Sequence, residues 1–426
     1  MTISIFTFSL LGAMAIGMPI AFALIICGVA LMTYLDIFDS QIIAQNVING
    51  VDSFPLMAVP FFILAGEIMN TGGLARRILN FAIALVGHLR GGLGYVAILT
   101  SCILASLSGS AVADAAALGA LLVPMMVAAG HNRASAAGLV AAGGIIAPVI
   151  PPSIGFVIFG VAAGVSISKL FLAGVVPGLM LGGGLCFAWW WVARNENSVS
   201  PPRQSLAQIF RALIDGFWAL MLPMIIIVGL RFGIFTPTEA AVVVAVYSFI
   251  VATFVYRELT LAQLMNILIS SAQITAVVMF LVAAALVSSW LITVAEISGQ
   301  IVELARPFMG NQTLLMIVLM IIVVIVGTAL DMTPTILILT PVLMPIVREA
   351  GIDPVYFGVL FIINNAIGLI TPPVGVVLNV VCGVAKVSMD EIMRGVWPFM
   401  IAQLVVLALL TLFPSLVMVP AKWLGG

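Results

Sequence analysis

Apolar residues in this chain come in long continuous runs, rich in Leu, Ile, Ala and Met. Several runs approach or exceed the roughly 20 residues that cross a bilayer as an α-helix. A membrane β-barrel would instead show short alternating strands. The runs predict three apolar segments at 5–31, 54–70 and 73–89, then two runs within 93–128 separated by a polar kink. A run at 133–165 broken by a Pro-Pro pair and a closing segment at 170–192 follow. The same order then recurs, with segments at 217–232, 238–256 and 270–294, a kinked pair at 312–348, a broken run at 354–385 and a closing segment at 390–419. The domain reading is a first repeat over 1–192, a polar seam and connecting helix over 193–216, and a second repeat over 217–426.

The repeat keeps its register. "GMPIAFAL" pairs with "FTPTEAAV", placing Pro19 on Pro237, and "GSAVAD" pairs with "GTALDM", placing Gly109 on Gly327, both at an offset of 218. "PVIPPSIG" pairs with "GLITPPVG" at an offset of 221, and Pro124 with Pro345, Gly174 with Gly395 and Pro177 with Pro398 keep that offset. Matched Gly and Pro in one order along both halves indicate duplication. Each kinked pair reads as a re-entrant hairpin that enters and leaves on one side. Each half then crosses about five times, and an odd count turns the second half upside down, the inverted repeat of secondary transporters.

Composition narrows the class. Hydrophobic residues are 63% and charged residues 7% of the 426, and mean hydropathy is +1.31. That describes an all-α polytopic membrane protein. A formal net charge of −1 gives no footprint for nucleic acid. The first Lys or Arg is Arg76, so the N-terminal run reads as a retained span, not a cleaved signal. Cys27, Cys102, Cys186 and Cys382 stand singly in apolar runs and read as small core residues. His88 and His131 flank loops with no metal-ligand spacing around them. Trp189, Trp190 and Trp191 read as an interfacial belt beside the seam. A cytoplasmic seam, with Arg194, Arg203 and Arg211, puts Arg90, Arg133, Arg257, Lys386 and Arg394 inside and leaves Arg76, Arg77 and Arg348 on the far side.

Candidate chemistry sits at four breaks: "SLSGSAVAD", "GGIIAPVIPPS", "GTALDMTPT" and "NNAIGLITPPVG". Irregular backbone at membrane depth is tolerated only where protein buries it or it lines a cavity. C-terminal ends of half-helices offer carbonyls, and Ser, Thr and Asp add oxygens, which suits a hard cation such as Na+. N-terminal ends suit a substrate carboxylate, and Pro151–Pro152 and Pro372–Pro373 fit a helix start. Asp114 and Asp331 are intramembrane carboxylates; the choice for each lies between a cation site and a helix cap. Glu67 reads as an interfacial residue near a segment end, and "TPTE" makes Glu239 part of a capping box with Thr236. Asn364, Asn365 and Asn379 either bond substrate or hold helices together. "LGGGL" at 181–185 reads as helix packing, since no strand precedes it and no Lys follows.

"FTPTEAA", "SGSAVAD", "GGIIAPVIPPS", "ILTPVLMPI" and "GLITPPVGVVLNV" together resemble the large membrane subunit, the DctM-like permease, of tripartite ATP-independent periplasmic (TRAP) transporters, over essentially the whole chain. The resemblance implies an ion-transporter-type elevator fold in a bacterial inner membrane, Na+ coupling with two or more ions, and import of an organic acid. It implies two partners, a small four-helix membrane subunit and a periplasmic substrate-binding protein, besides membrane lipid. It also implies a first Na+ site from Ser106, Ser108, Gly109 and Asp114 with backbone of Gly144, Ala147 and Val149. A second would use Gly327, Thr328 and Asp331 with backbone of Gly368, Ile370 and Thr371. Substrate would lie near Ser153, Asn365 and Asn379. Asp331 is one position out of register with Asp114 at the 218 offset, so the two carboxylates are not expected to be equivalent. Within the family the chain is similar to the branch assigned to 2,3-diketogulonate and related sugar acids; other branches take C4-dicarboxylates or sialic acid. A self-sufficient symporter or antiporter of the same fold is the alternative, and no catalytic constellation points to an enzyme.

Overall fold

A computed structural model describes residues 2–425 except Asn195, Asn197 and Pro373, and excludes the side chains of Ile3 and Leu107. Its described residues form helices and connecting turns. The first half runs α1 (Thr2–Ala15), α2 (Ile20–Tyr34), α3 (Ser40–Val51), a 3-10 turn at Phe54–Met57, α4 (Ala58–Thr71), α5 (Leu74–Val86), α6 (Gly92–Ser108), α7 (Ala111–Ala128), α8 (Arg133–Gly144), α9 (Ile154–Ala163) and α10 (Ile167–Ala193). The second half runs α11 (Leu206–Arg231), α12 (Pro237–Ile250) with a π turn at Val251–Val255, α13 (Leu261–Val294), α14 (Ile297–Ala305), α15 (Gln312–Ala329), α16 (Met332–Glu349), α17 (Pro354–Gly368), α18 (Val376–Ala385), α19 (Met389–Leu412) and α20 (Ser415–Gly425). Among the described residues, nine helices are long and apolar enough to cross a bilayer by length and composition, the short turns beside α4 and α12 counted with them.

The two hairpins are α6–α7, folded at Gly109–Ser110, and α15–α16, folded at Leu330–Asp331. The broken helices are α8–α9 and α17–α18. Two hydrogen bonds fix their relative direction. Arg133, at the start of α8, donates to Ala385 O at the end of α18 at 3.4 Å. Arg348, at the end of α16, donates to Ala163 O at the end of α9 at 2.7 Å. The beginning of one broken helix therefore meets the end of the other, as inverted halves require. Each guanidinium also satisfies a carbonyl left over at a helix C-terminus.

The early segments differ from their prediction. The run 5–31 is two helices, because Gly17 at φ +81° and Pro19 turn the chain between α1 and α2. Polar-flanked α3 was not predicted; with α4 it replaces what is one 34-residue helix, α13, in the second half. The interruption lies at "VDSFP", where Pro55 lacks a donor and Asp52 and Ser53 compete for backbone groups. The run 73–89 does not cross. Helix α5 has 13 residues, about 20 Å, and buries one face only. Both its ends touch groups beside the seam: Arg76 and Arg77 pair with Glu258 at 2.8 Å each, and Leu89 O accepts from Ser200 Oγ at 2.7 Å. Arg76 and Arg77 thus lie on the seam side, not opposite it. A count of about five per half takes α1 and α2, 14 and 15 residues long, as two spans.

Small residues let helices close on one another. Gly138 of α8 crosses Gly395 of α19 so tightly that an ideal Cβ on Gly395 would lie 1.9 Å from Ala134 O. In "LGGGL", Gly182 faces Cys102 and Gly184 faces Val406, the packing role expected. Trp189 departs from the belt: it is fully buried and donates Nε1–H to Gly91 O at 2.8 Å, while Trp190 and Trp191 are exposed.

Candidate functional site

A cavity of about 320 Å³ opens where the hairpin tips approach each other. Ser108 to Ala113 of the first tip and Asp331 to Thr333 of the second line it. Pro148, Ile154 and Gly155 of the first break and Leu369 and Val376 of the second add to the same walls. The opposite wall comes from α4, with Ile63, Gly66, Glu67 and Asn70, and from α13, with Ile274 and Val278. Among the described residues, no Lys or Arg lines it. Glu67 and Asn70 are the residues that the sequence left out; Glu67 is half-buried here and faces the cavity, not an interface. Its spacing from Asn70 puts both on one helical face, which was the available signal.

At the first tip, α6 ends on Gly109 in the left-handed region, φ +62°, with its Cα against Pro152 O and Ser153. Ser110 caps α7, accepting from Ala113 N at 3.4 Å. Asp114 is the fourth residue of α7 and is 2% exposed. Ser108 Oγ donates to its Oδ1; its Oδ2 has no hydrogen-bond partner among the described residues. A buried carboxylate oxygen without a donor is costly, and a bound cation is one group that would relieve it. Gly144, at the end of α8, abuts Ala111 O and Ala115 of α7. Ala147 and Val149 continue the break as tight turns, bonding back to Gly144 O and Ile146 O at 3.1 and 2.9 Å. Val149 O faces Gly174 of α10. Ser106 Oγ donates to Ile103 O of its own helix at 2.6 Å.

At the second tip, Gly327 and Gly368 meet backbone to backbone; an ideal Cβ on Gly368 would lie 2.7 Å from Gly327 C. Asp331 caps α16, accepting from Met332 N at 2.8 Å, and stands open to the cavity. Thr328 Oγ1 bonds Ile325 O at 2.8 Å. Thr371 Oγ1 bonds Ile367 O at 2.8 Å. Ile370 is fully buried in the turn after α17.

The three residues expected near substrate do not line the cavity. Ser153 is buried as the cap of α9, accepting from Phe156 N at 3.2 Å and donating to Pro148 O. Asn365 is buried; its Nδ2 donates to Met332 O at 3.2 Å, and its Oδ1, beside Gly327, has no partner among the described residues. Asn379 is exposed on α18 and bonds Val374 O at 2.8 Å. Asn364 ties α17 to Met320 O of α15. Of the prolines placed at helix starts, Pro151 and Pro152 sit before the Ser153 cap, Pro372 lies inside the second break, and Pro373 falls outside the described residues. Glu239 and Thr236 do form the capping box, with Thr236 N donating to Glu239 Oε2 at 2.8 Å.

Comparison with known proteins adds a lineage to this geometry. A family model described as "Tripartite ATP-independent periplasmic transporter, DctM component" matches residues 7–416. The chain is 56% identical over 425 residues to the 2,3-diketo-L-gulonate TRAP transporter large permease protein YiaN of Escherichia coli (strain K12), covering 100% of both. It is 38% identical to the sialic acid TRAP transporter large permease protein SiaM of Vibrio cholerae, covering 98% of both. It is 35% identical to the C4-dicarboxylate TRAP transporter large permease protein DctM of Rhodobacter capsulatus, again covering 98% of both. Among solved structures, the Alcanivorax borkumensis YdaH transporter shares the fold, with TM-score 0.60 at 13% identity over 88% of this chain and 87% of that one.

Proposed function

The chain belongs to the DctM family of TRAP transporter large permeases, and from that premise we propose that it imports a carboxylate-bearing organic acid together with Na+. The observation that carries this reading is Asp114, buried at the first tip with Ser108 on one oxygen and, among the described residues, no hydrogen-bond partner on the other. Na+ is the cation to which its oxygen-rich surroundings fit, and the second tip, with Asp331, Gly327 and Thr328, is the place of another ion. The cavity walls supply the coupling. Glu67 and Asp331 face it and, among the described residues, no Lys or Arg does. An anion entering alone meets carboxylates at a cost on the order of 1–4 kcal/mol per close pair. Ions at the tips remove that cost, so anion and Na+ travel together.

The elevator reading divides the helices accordingly. The hairpins and broken helices move; α4, α5 and α11–α13 stay, with α4 and α13 forming the fixed cavity wall. The seam side is cytoplasmic. With Arg76 and Arg77 on that side, only Lys169, Arg231, Arg306, Arg348 and Lys422 remain opposite. A sugar acid of the 2,3-diketo-L-gulonate type is the substrate class favoured by the 56% relative. Delivery by a periplasmic binding protein, and assembly with a small four-helix membrane subunit, complete the proposal.

Proteoliposomes holding the chain and its small subunit test it. With loaded binding protein outside, an inward Na+ gradient should drive labelled acid uptake without ATP. Equal uptake in matched Na+-free buffer would overturn the coupling. Equal uptake without binding protein would overturn the delivery step.

A further inference from the structure

A second cavity, about 620 Å³, lies on the seam side between α5, α11 and the end of α12, and shares no lining residue with the site between the tips. Arg76, Arg77 and Arg211 reach it, with Asp215, Trp218 and Tyr256. Arg77 is braced. It donates to Gly73 O at 3.0 Å, pairs with Glu258 at 2.8 Å, and its guanidinium lies 3.7 Å over the Tyr256 ring. Arg76 shares the same Glu258 oxygen at 2.8 Å, and its side chain is 64% exposed. Two guanidinium groups on one carboxylate leave positive charge over. Arg211 makes no ion pair among the described residues; Asp215, one turn further along α11, makes none either, and its carbonyl accepts from Tyr256 Oη at 2.9 Å. Three guanidinium groups against the carboxylates of Glu258 and Asp215 leave one positive charge to be met.

The cavity is also polarised along its length. Gln208 and Arg211 mark its seam end, while Ile214 and Trp218, both exposed, lie further along α11, and exposed Val255 adds apolar surface beside Tyr256. A soluble anion would satisfy only the first end. An amphiphile satisfies both, with its acid group on guanidinium donors and its chains along exposed apolar side chains. Trp and Tyr at the junction are the residues that favour the headgroup level. We infer that this cavity binds the phosphodiester headgroup of an anionic phospholipid of the seam-side leaflet, such as phosphatidylglycerol. Basic pockets between membrane helices on the cytoplasmic side take such headgroups, and guanidinium forks pair with phosphate oxygens. All three contributing helices belong to the part proposed to stay fixed, so the lipid would anchor the scaffold against the hairpins' motion.

Lipid titration of the detergent-purified, delipidated full chain tests this by native mass spectrometry and thermal unfolding. Phosphatidylglycerol should bind and raise the midpoint by roughly 2–5 °C, and phosphatidylcholine should not. Arg76→Gln with Arg211→Gln should weaken phosphatidylglycerol binding about tenfold or more; Arg211→Gln alone should weaken it less. Both sites are exposed, and an unchanged lipid-free midpoint confirms that the variants fold. Equal binding of phosphatidylcholine, or unchanged affinity in the double variant, overturns the site. Inorganic phosphate that stabilises as well and competes the lipid away would make it a soluble-anion site and overturn the lipid assignment. Loss of small-subunit co-purification in the double variant, with lipid binding intact, would make it a protein interface instead.

Discussion

At the first hairpin tip the carboxylate stands inside the helix that follows the bend; at the second it stands in front of it. Asp114 is the fourth residue of α7, behind a serine cap, and its Oδ2 is buried with no hydrogen-bond partner among the described residues. Asp331 is itself the cap of α16, with one oxygen on Met332 N and the side chain open to the cavity. Two shifts add up here: Asp331 is one position out of register with Asp114 at the 218 offset, and α16 starts at Met332, three residues after the counterpart of Ala111. In the first tip Ser110 takes the cap and frees the aspartate; in the second no serine precedes the helix, so the aspartate is used for the cap. Duplication therefore supplied two similar frames, and where each helix starts relative to its aspartate decides that one carboxylate is a buried charge and the other a helix terminus.

The sharpest way to break the comparison is to neutralise each carboxylate. Asp114→Asn keeps the volume and removes the charge that a cation would meet. Apparent Na+ affinity for uptake should fall about 10- to 100-fold, the scale of one or two charge-assisted contacts. Asp331→Asn keeps a capping side chain and should cost less than about threefold. Proteoliposome uptake across a Na+ series measures both. Equal losses at the two sites would show that the slip in register has no chemical consequence.

The next effect is on packing, where the tips should behave alike for different reasons. Gly368→Ala drives a Cβ to 2.7 Å from backbone of Gly327, which has no side chain to move. Gly109→Ala adds a Cβ 2.9 Å from Pro152 O at a positive φ of +62°. Each should lower stability by about 1–3 kcal/mol. Gly119→Ala on α7 meets only methyl groups of Val381 and Val140 near 4 Å and should leave thermal unfolding unchanged. A neutral Gly368→Ala would mean that the second hairpin does not rest on its broken helix.

The hairpins and breaks were legible because they are local events. Gly, Ser and Pro interrupt an apolar run within a few residues, and no distant partner is needed to read them. The elements that lie along the surface were not legible. Helix α5 reads as a span although it carries Arg76, Arg77 and Asn80 and is apolar on one face only, and its ends, held by Glu258 and Ser200, keep it on one side. That contact joins residues 182 apart in sequence. Trp189 likewise looks like its two neighbours until Gly91 O claims its indole N–H. In the site, the tips and Asp114 could be picked out as costly polar groups in lipid. Which of Ser153, Asn365 and Asn379 would face a cavity could not, because each is consumed by a backbone partner set by tertiary packing. Glu67 was missed for the converse reason: its role depends on α4 lying across from both tips.

The smallest effect separates capping from ion binding at Asp331. Removing the side chain with Asp331→Ala takes away the acceptor for Met332 N, which lies at a helix start with no other bonded partner. Loss of a cap costs about 1 kcal/mol, and thermal unfolding of the purified chain should register a drop of that size. Asp331→Ser restores an uncharged acceptor and should recover most of it. The two variants then divide the functions of one residue. If Asp331→Ser restores both stability and Na+ dependence, the carboxylate's charge is dispensable and the second tip holds its ion through backbone and hydroxyl oxygens. If it restores stability alone, Asp331 serves the helix and the ion together, and the two tips differ in geometry but not in reliance on a carboxylate.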